Sequence, residues 1–210
     1  MRSPVPAAPV RRPPRGTVGT FLHPPKVRVA VAHVPYVEKE DMPEEYRYLF
    51  EENEAGELNV FKAVGNNPAV LRSYMRWGTV LWETSGLTRQ EVEVVILAAA
   101  RKLDAPYEWH QHVPLARAFG IDDETILAIA DGEEEALTDR EAVLVEYTGA
   151  FLDRDVTENH HDLLAEQFDS ETVAGLTMLA SHYLATGYVI DALGVEPEGE
   201  FVGWHLENAE

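Results

Sequence analysis

The sequence predicts an all-α protein, on three observations. Apolar residues recur at helical spacing from residue 43 onward. Two capping boxes and several proline-led starts divide that stretch into helices. Alternating, strand-like runs are nearly absent after residue 35. At 210 residues and 45% hydrophobic content, the chain is long and apolar enough for one domain with a real core.

Taken in order, the elements have these grounds. Residues 1–25 read as a tail, because Pro4, Pro6, Pro9, Pro13, Pro14, Pro24 and Pro25 cannot sustain a helix or an inner strand. The tail extends to about residue 33, and VAHVPYV, from Val31, offers an alternative start to the chain. Lys26 to Val34 alternates like a short strand that has nothing to pair with. Pro43 suits the first position of a helix through EEYRYLFEE. Asn67 and Pro68 cap and open a helix to about Glu83. Thr88 and Glu91 form a capping box for a helix to about Leu103. Tyr107 to Ala118 follows and ends at Gly120, with Pro114 predicting a kink or early break. Asp122 caps a short helix to Ala130, and Thr138 with Glu141 opens another to about Leu152. Glu158 to Gln167 is a shorter helix, and the last runs from about Ser170 to Leu193, where Gly194 stops it. The domain therefore spans residues 34–195, with an acidic tail at 196–210.

Val92 to Ala100 is apolar around its whole circumference apart from Glu93, and the C-terminal helix is similarly apolar. Two such helices in a small chain predict a bundle that completes its core by self-association. Phe201 and Trp204 likewise need a surface to pack on.

Composition excludes several functions. Without cysteine the chain has no disulfide, no iron–sulfur ligation and no thiol nucleophile. The longest apolar run, Val94 to Ala100, is too short to span a bilayer, and the N-terminus lacks the apolar segment of a secretory signal. A cytosolic location and no membrane partner are the expectations. Residues 1–35 carry six of the 17 basic residues and no acid, which leaves 11 basic against 37 acidic residues in the rest, or −26. Such a body repels nucleic acid. With only four lysines, it reads as adapted to high salt in preference to an ordinary acidic protein.

Three residues form the candidate site. Glu93 is a lone charge in a buried helix, so its carboxylate must be paired, protonated or functional; Arg89, one turn earlier, is one available partner. Glu108 and His112 are four apart and share a helix face, where a carboxylate beside an imidazole can share a proton near neutral pH. An exposed Glu–His pair of that spacing would do nothing, and spacing alone leaves both readings open. His110 projects about 200° away from His112 and reads as solvent-facing or interfacial. His160, His161, His182 and His205 show no partner pattern.

The stretch LTRQEVEVVILAAARKLDAPYEWHQHVPLARAFGI resembles the signature of the carboxymuconolactone decarboxylase-like family: a glutamate in a buried helix, a short turn, then a helix carrying a histidine. NNPAVLRSYMRWGTVLWETSGLT and PYVEKEDMPEEY resemble the segments before it, so the likeness covers about residues 34–195. The resemblance implies an alkyl hydroperoxidase D-like helical bundle, assembled as a trimer or hexamer with its site near a subunit boundary. Glu93 and His112 fall on the family's glutamate and histidine, while the two cysteines of the peroxidase branch become Ala105 and Glu108. Dithiol peroxidase activity is therefore not implied. The decarboxylase branch, with an acidic residue at the second cysteine's place, implies cofactor-free acid–base chemistry on a small organic acid or lactone. Glu108 and His112 would then move protons, Glu93 would orient His112, and Tyr107 and Trp109 would line or brace the substrate pocket. Two alternatives stand beside this one: a divalent metal held by the same three side chains, and a helical oligomer without catalysis.

Overall fold

The computed structural model describes residues 32–51 and 56–209. The predicted tail at 1–25 and most of the strand-like stretch at 26–34 lie outside them. No strand occurs among the described residues, which matches the all-α expectation.

Among the described residues eight α-helices follow two short 3-10 helices, and a further 3-10 helix, Glu134–Ala136, lies between the fifth and the sixth. The α-helices are α1 (Asn59–Val64), α2 (Pro68–Thr84), α3 (Arg89–Lys102), α4 (Pro106–Ala118), α5 (Asp123–Asp131), α6 (Asp139–Asp153), α7 (Glu158–Gln167) and α8 (Ser170–Leu193). The segment after Pro43 is a 3-10 helix, Glu44–Phe50, with Pro43 as its N-cap rather than its first residue. α1 has no counterpart in the sequence reading. Its N-cap is Leu58, with no side-chain capping bond, so neither cap nor proline announces it. α4 runs unbroken through Pro114.

The local chemistry of the long helices follows the predicted caps. Glu91 N–H donates to Thr88 Oγ1 at 3.2 Å and Thr88 N–H donates to the Glu91 carboxylate at 2.8 Å, closing the capping box of α3. Asn67 caps α2, and Asp169, which the sequence reading does not single out, caps α8. Gly194 ends α8 in the left-handed region at φ 64°, where a side chain would be strained.

α3 is the centre of the domain. Val92 to Ala100 are all buried, and the helix packs against α4, α5, α6 and α8. Leu97, Trp109, Ile126, Leu144, Leu164, Leu176 and Leu179 fill the space around it. Each such side chain contributes on the order of 1.5–3 kcal/mol by leaving water. Glu93 thus sits inside the packed centre of the domain, and the neighbours of α3 decide what it meets.

Two contacts fix the walls of the site. After α3, Asp104 takes a left-handed conformation and Ala105 N–H donates to the Ala100 carbonyl at 2.9 Å. That turn folds α4 back along α3. On the other side, the turn after α2 touches α8 backbone to backbone: a Cβ on Gly175 would lie 2.2 Å from the Ser85 carbonyl oxygen. α2, α4 and α8 therefore stand around one space.

α8 has the length and hydropathy of a membrane span, the one such helix among the described residues. One face packs on α2, α3 and α6, while Met178, Tyr188 and Val189 are exposed on the other. The acidic C-terminal segment, described to residue 209, folds back on the domain. Trp204 packs on Trp109 with ring centroids 5.4 Å apart, and the Arg101 guanidinium lies 5.0 Å from the Trp204 ring. The surface that Phe201 and Trp204 require is thus found within the chain.

Candidate functional site

Glu93, on the buried stretch of α3, is fully inaccessible. Glu108 and His112, one turn apart on α4, are buried as well, not an exposed helix pair. His112 Nδ1 donates to Glu93 Oε2 at 2.9 Å, and His112 Nε2 lies 3.5 Å from Glu108 Oε2. The three candidates therefore form one line, carboxylate–imidazole–carboxyl. Arg89 is not the partner of Glu93; its guanidinium lies over the Trp82 ring, 5.4 Å from the centroid.

The electrostatics of the line follow from burial and charge. Burial drives the Glu108 pKa up, His112 partly offsets this, Glu93 adds to it, and the result is about 7. Burial works against a charged His112, but the charge and hydrogen bond of Glu93, joined by the charge of Glu108, outweigh it and raise the imidazole above its ordinary value. With Nδ1–H held by Glu93, Nε2 is the nitrogen that faces Glu108.

This line ends in a cleft of about 560 Å³ between α1, α2, α4 and α8. Its walls include the aromatic side chains of Phe61, Tyr74, Trp82, Tyr107, Phe119 and Tyr183. Trp82 Nε1 donates to the Tyr183 hydroxyl at 3.0 Å, and the Tyr183 ring meets His112 edge-on with centroids 5.2 Å apart. Tyr74 and Thr186 share a 2.7 Å hydrogen bond. Arg89 and Glu83 also line the cleft, both on exposed parts of the chain. Glu108, His112 and Tyr107 are among the lining residues.

Trp109 is not. It is fully buried on the opposite side of α4, where Nε1 donates to the Gly203 carbonyl at 3.0 Å. Its place in the fold is to hold the C-terminal segment, not to line the pocket: positions 107 and 109 fall nearly on opposite faces of a helix. His110 is half-buried under the same segment and accepts a hydrogen bond from Val202 N–H at 3.1 Å, so it faces the chain's own C-terminus and not solvent. The cleft residues supplied by α2 and α8, His182 above all, carried no pattern in the sequence. An isolated histidine in an apolar helix gives no spacing to read.

The geometry also disfavours a metal held by the trio. Glu93 and Glu108 sit on opposite nitrogens of one imidazole, and a single ion cannot take both ring nitrogens. Among the described residues no group of three His, Asp or Glu side chains has the arrangement of a metal site.

Residues 68–148 match the model of the carboxymuconolactone decarboxylase family. No curated protein matches the chain. Similar solved structures include the alkylhydroperoxidase AhpD core of an uncharacterized peroxidase-related protein from Ralstonia eutropha JMP134. It is 17% identical, with a TM-score of 0.71 over 83% of this chain and 96% of that one. An uncharacterized peroxidase-related protein from Silicibacter sp. TM1040 is 18% identical, with a TM-score of 0.70 over 88% of this chain and 99% of that one. The debrominase Bmp8 is 12% identical, with a TM-score of 0.72 over 84% of this chain and 97% of that one. At these identities the likeness is one of fold.

Proposed function

We propose, from the match of residues 68–148 to the carboxymuconolactone decarboxylase family, that the chain is an enzyme of cofactor-free acid–base chemistry, decarboxylating or moving a proton on a small organic acid or lactone. One observation carries the reading: a buried Glu93–His112–Glu108 line that opens into an aromatic cleft through Glu108 and His112. A carboxyl group with a pKa near 7 beside an imidazole is suited to take and return a proton at neutral pH.

The step is simple to balance. In the proton-transfer form, the ionised Glu108 removes a proton from the carbon next to a carbonyl. The C–H electron pair passes to the carbonyl oxygen as an enolate. The protonated Glu108 then returns the proton to carbon. In the decarboxylating form the C–C bond breaks, carbon dioxide leaves, and the same acid protonates the carbanion. His112 exchanges the proton through Nε2, and Glu93 fixes its tautomer as a positioning residue. Thiol peroxidase chemistry has no group to perform it, since the chain contains no cysteine.

We further propose that the enzyme is cytosolic and works as a homo-oligomer, a trimer or hexamer. Val70 and Val80 on α2 and Met178, Tyr188 and Val189 on α8 are exposed apolar side chains that a second copy would cover. Light scattering that finds a monomer at micromolar concentration would remove the oligomer from this account.

The acid–base reading is tested by incubating the protein in deuterium oxide with a panel of 2-oxo acids and carboxylated lactones. The expected result is catalysed deuterium uptake or carbon dioxide release with at least one compound, lost in Glu108→Gln and His112→Gln while both remain folded. Equal turnover by wild type and both variants would defeat it, as would a panel with no turnover at all.

A further inference from the structure

The cleft contains a second histidine that the proton line does not use. His182, on α8, is 4% exposed. Its ring stacks on Tyr74 at 5.0 Å between centroids and meets Trp77 and Tyr183 edge-on at 4.6 and 5.3 Å. Burial pushes its pKa down to about 4, with the neighbouring His112 acting in the same direction, so the ring is neutral near pH 7. A neutral imidazole carries one N–H and one lone pair.

Neither finds a partner among the described residues. Nδ1 is buried and unbonded, and no hydrogen bond reaches Nε2 among the described residues. The polar groups nearby are committed elsewhere: the Tyr74 hydroxyl to Thr186, and Trp82 Nε1 to the Tyr183 hydroxyl. Leaving a buried donor unsatisfied is costlier than leaving a lone pair unsatisfied. That cost puts the proton on Nε2, the nitrogen that faces α2 at Gly78. A Cβ on Gly78 would lie 3.2 Å from Nε2, so the missing side chain keeps space open in front of this N–H. Gly78 and His182 both line the cleft.

We infer that His182 is a ligand-binding residue, whose Nε2–H, over the notch left by Gly78, donates a hydrogen bond to an uncharged carbonyl oxygen of the organic acid bound in the cleft. The assignment rests on the acid–base reading and narrows its substrate class to acids that carry a ketone or lactone carbonyl. A neutral donor suits that oxygen, because it strengthens its bond as enolate charge develops without giving up its own proton.

Phenylpyruvate and 3-phenylpropanoate provide the test. They share the ring and the carboxylate and differ in a keto oxygen against a methylene. By calorimetry near pH 7, wild type is expected to bind phenylpyruvate about 5- to 10-fold more tightly, the range a single neutral hydrogen bond gives. His182→Phe and Gly78→Ala should bind the two compounds about equally, the first by removing the donor and the second by filling the notch. Nitrogen NMR on wild type adds a readout that does not depend on any variant folding: phenylpyruvate should shift the His182 Nε2 resonance and 3-phenylpropanoate should not. The assignment is overturned if wild type binds both alike or neither, if His182→Phe keeps the preference, or if the Nε2 resonance ignores phenylpyruvate. Deuterium exchange at C3 of phenylpyruvate separates this from the acid–base reading. Failure of that reading removes exchange from wild type and leaves the preference. Failure of the His182 assignment removes the preference and leaves exchange that Glu108→Gln abolishes.

Discussion

Replacing Glu108 with Gln should make the protein more stable at alkaline pH while removing its proton transfer. The buried carboxyl has its pKa raised from 4.5 to about 7 by burial first, with Glu93 adding and His112 subtracting. A group that binds its proton more tightly folded than unfolded favours the folded state only while protonated. Below the unfolded pKa it is protonated in both states and contributes no pH dependence. As pH rises through the interval it loses stability, and above about pH 7 the full penalty is present. A shift of that size at 1.36 kcal/mol per unit amounts to roughly 3 kcal/mol. Gln keeps the shape of the protonated acid and cannot ionise. Urea unfolding of both proteins between about pH 4 and pH 8 should therefore show a gap near zero in acid that widens to about 2–4 kcal/mol in favour of the variant. A gap that stays flat, or a variant less stable than wild type at pH 8, would refute the claim that Glu108 is held against its ionisation.

Three further outcomes are expected. Glu93→Gln removes the larger of the two charges that offset burial at His112 and leaves Glu108, so the imidazole should titrate lower than in wild type by NMR, and an unchanged titration would contradict the pairing. Gly175→Ala should destabilise by about 1–3 kcal/mol or prevent folding, because its Cβ would meet the Ser85 backbone at 2.2 Å, whereas Gly149→Ala, in α6 with nothing within 4 Å, should stabilise by about 0.5–1 kcal/mol on thermal or urea melts. The melting temperature should rise from low salt to molar potassium chloride, since the part of the chain after residue 35 carries −26, and a falling melting temperature would oppose the salt-screening argument.

The long helices were legible because their termini are written in short-range chemistry. Thr88 with Glu91, Thr138 with Glu141, and Asn67 before Pro68 satisfy backbone groups within one turn, and the structure shows each of those bonds or that proline start. The misreadings fall where no such signal exists. α1 begins at Leu58 without a side-chain cap, and what holds it is distant: Val60 N–H donates to the Tyr107 hydroxyl, and Asn59 N–H to Glu198. The segment after Pro43 has helical residues but settles as a 3-10 helix with Leu49 and Phe50 buried, a choice made by packing and not by propensity.

The site divides along the same line. Glu93 and His112 could be paired from sequence because an all-apolar helix around one carboxylate demands a donor, and the turn at 103–105 is too short to carry α4 far from α3. The resemblance gives Trp109 as lining or bracing the pocket, although helical geometry sends it to the face opposite Tyr107, and there it binds Gly203. Half of the cleft was invisible for a stronger reason. α2 and α8 reach Glu108 and His112 only through tertiary packing, and on α8 the polar cleft residues His182, Tyr183 and Thr186 are dispersed in a helix whose apolar residues surround them on all sides. Apolar periodicity measures what a helix buries, and a residue buried against a ligand space and one buried against core look the same by that measure. What distinguishes His182 is an unmade hydrogen bond, and that is visible only once every neighbour's bonds have been placed.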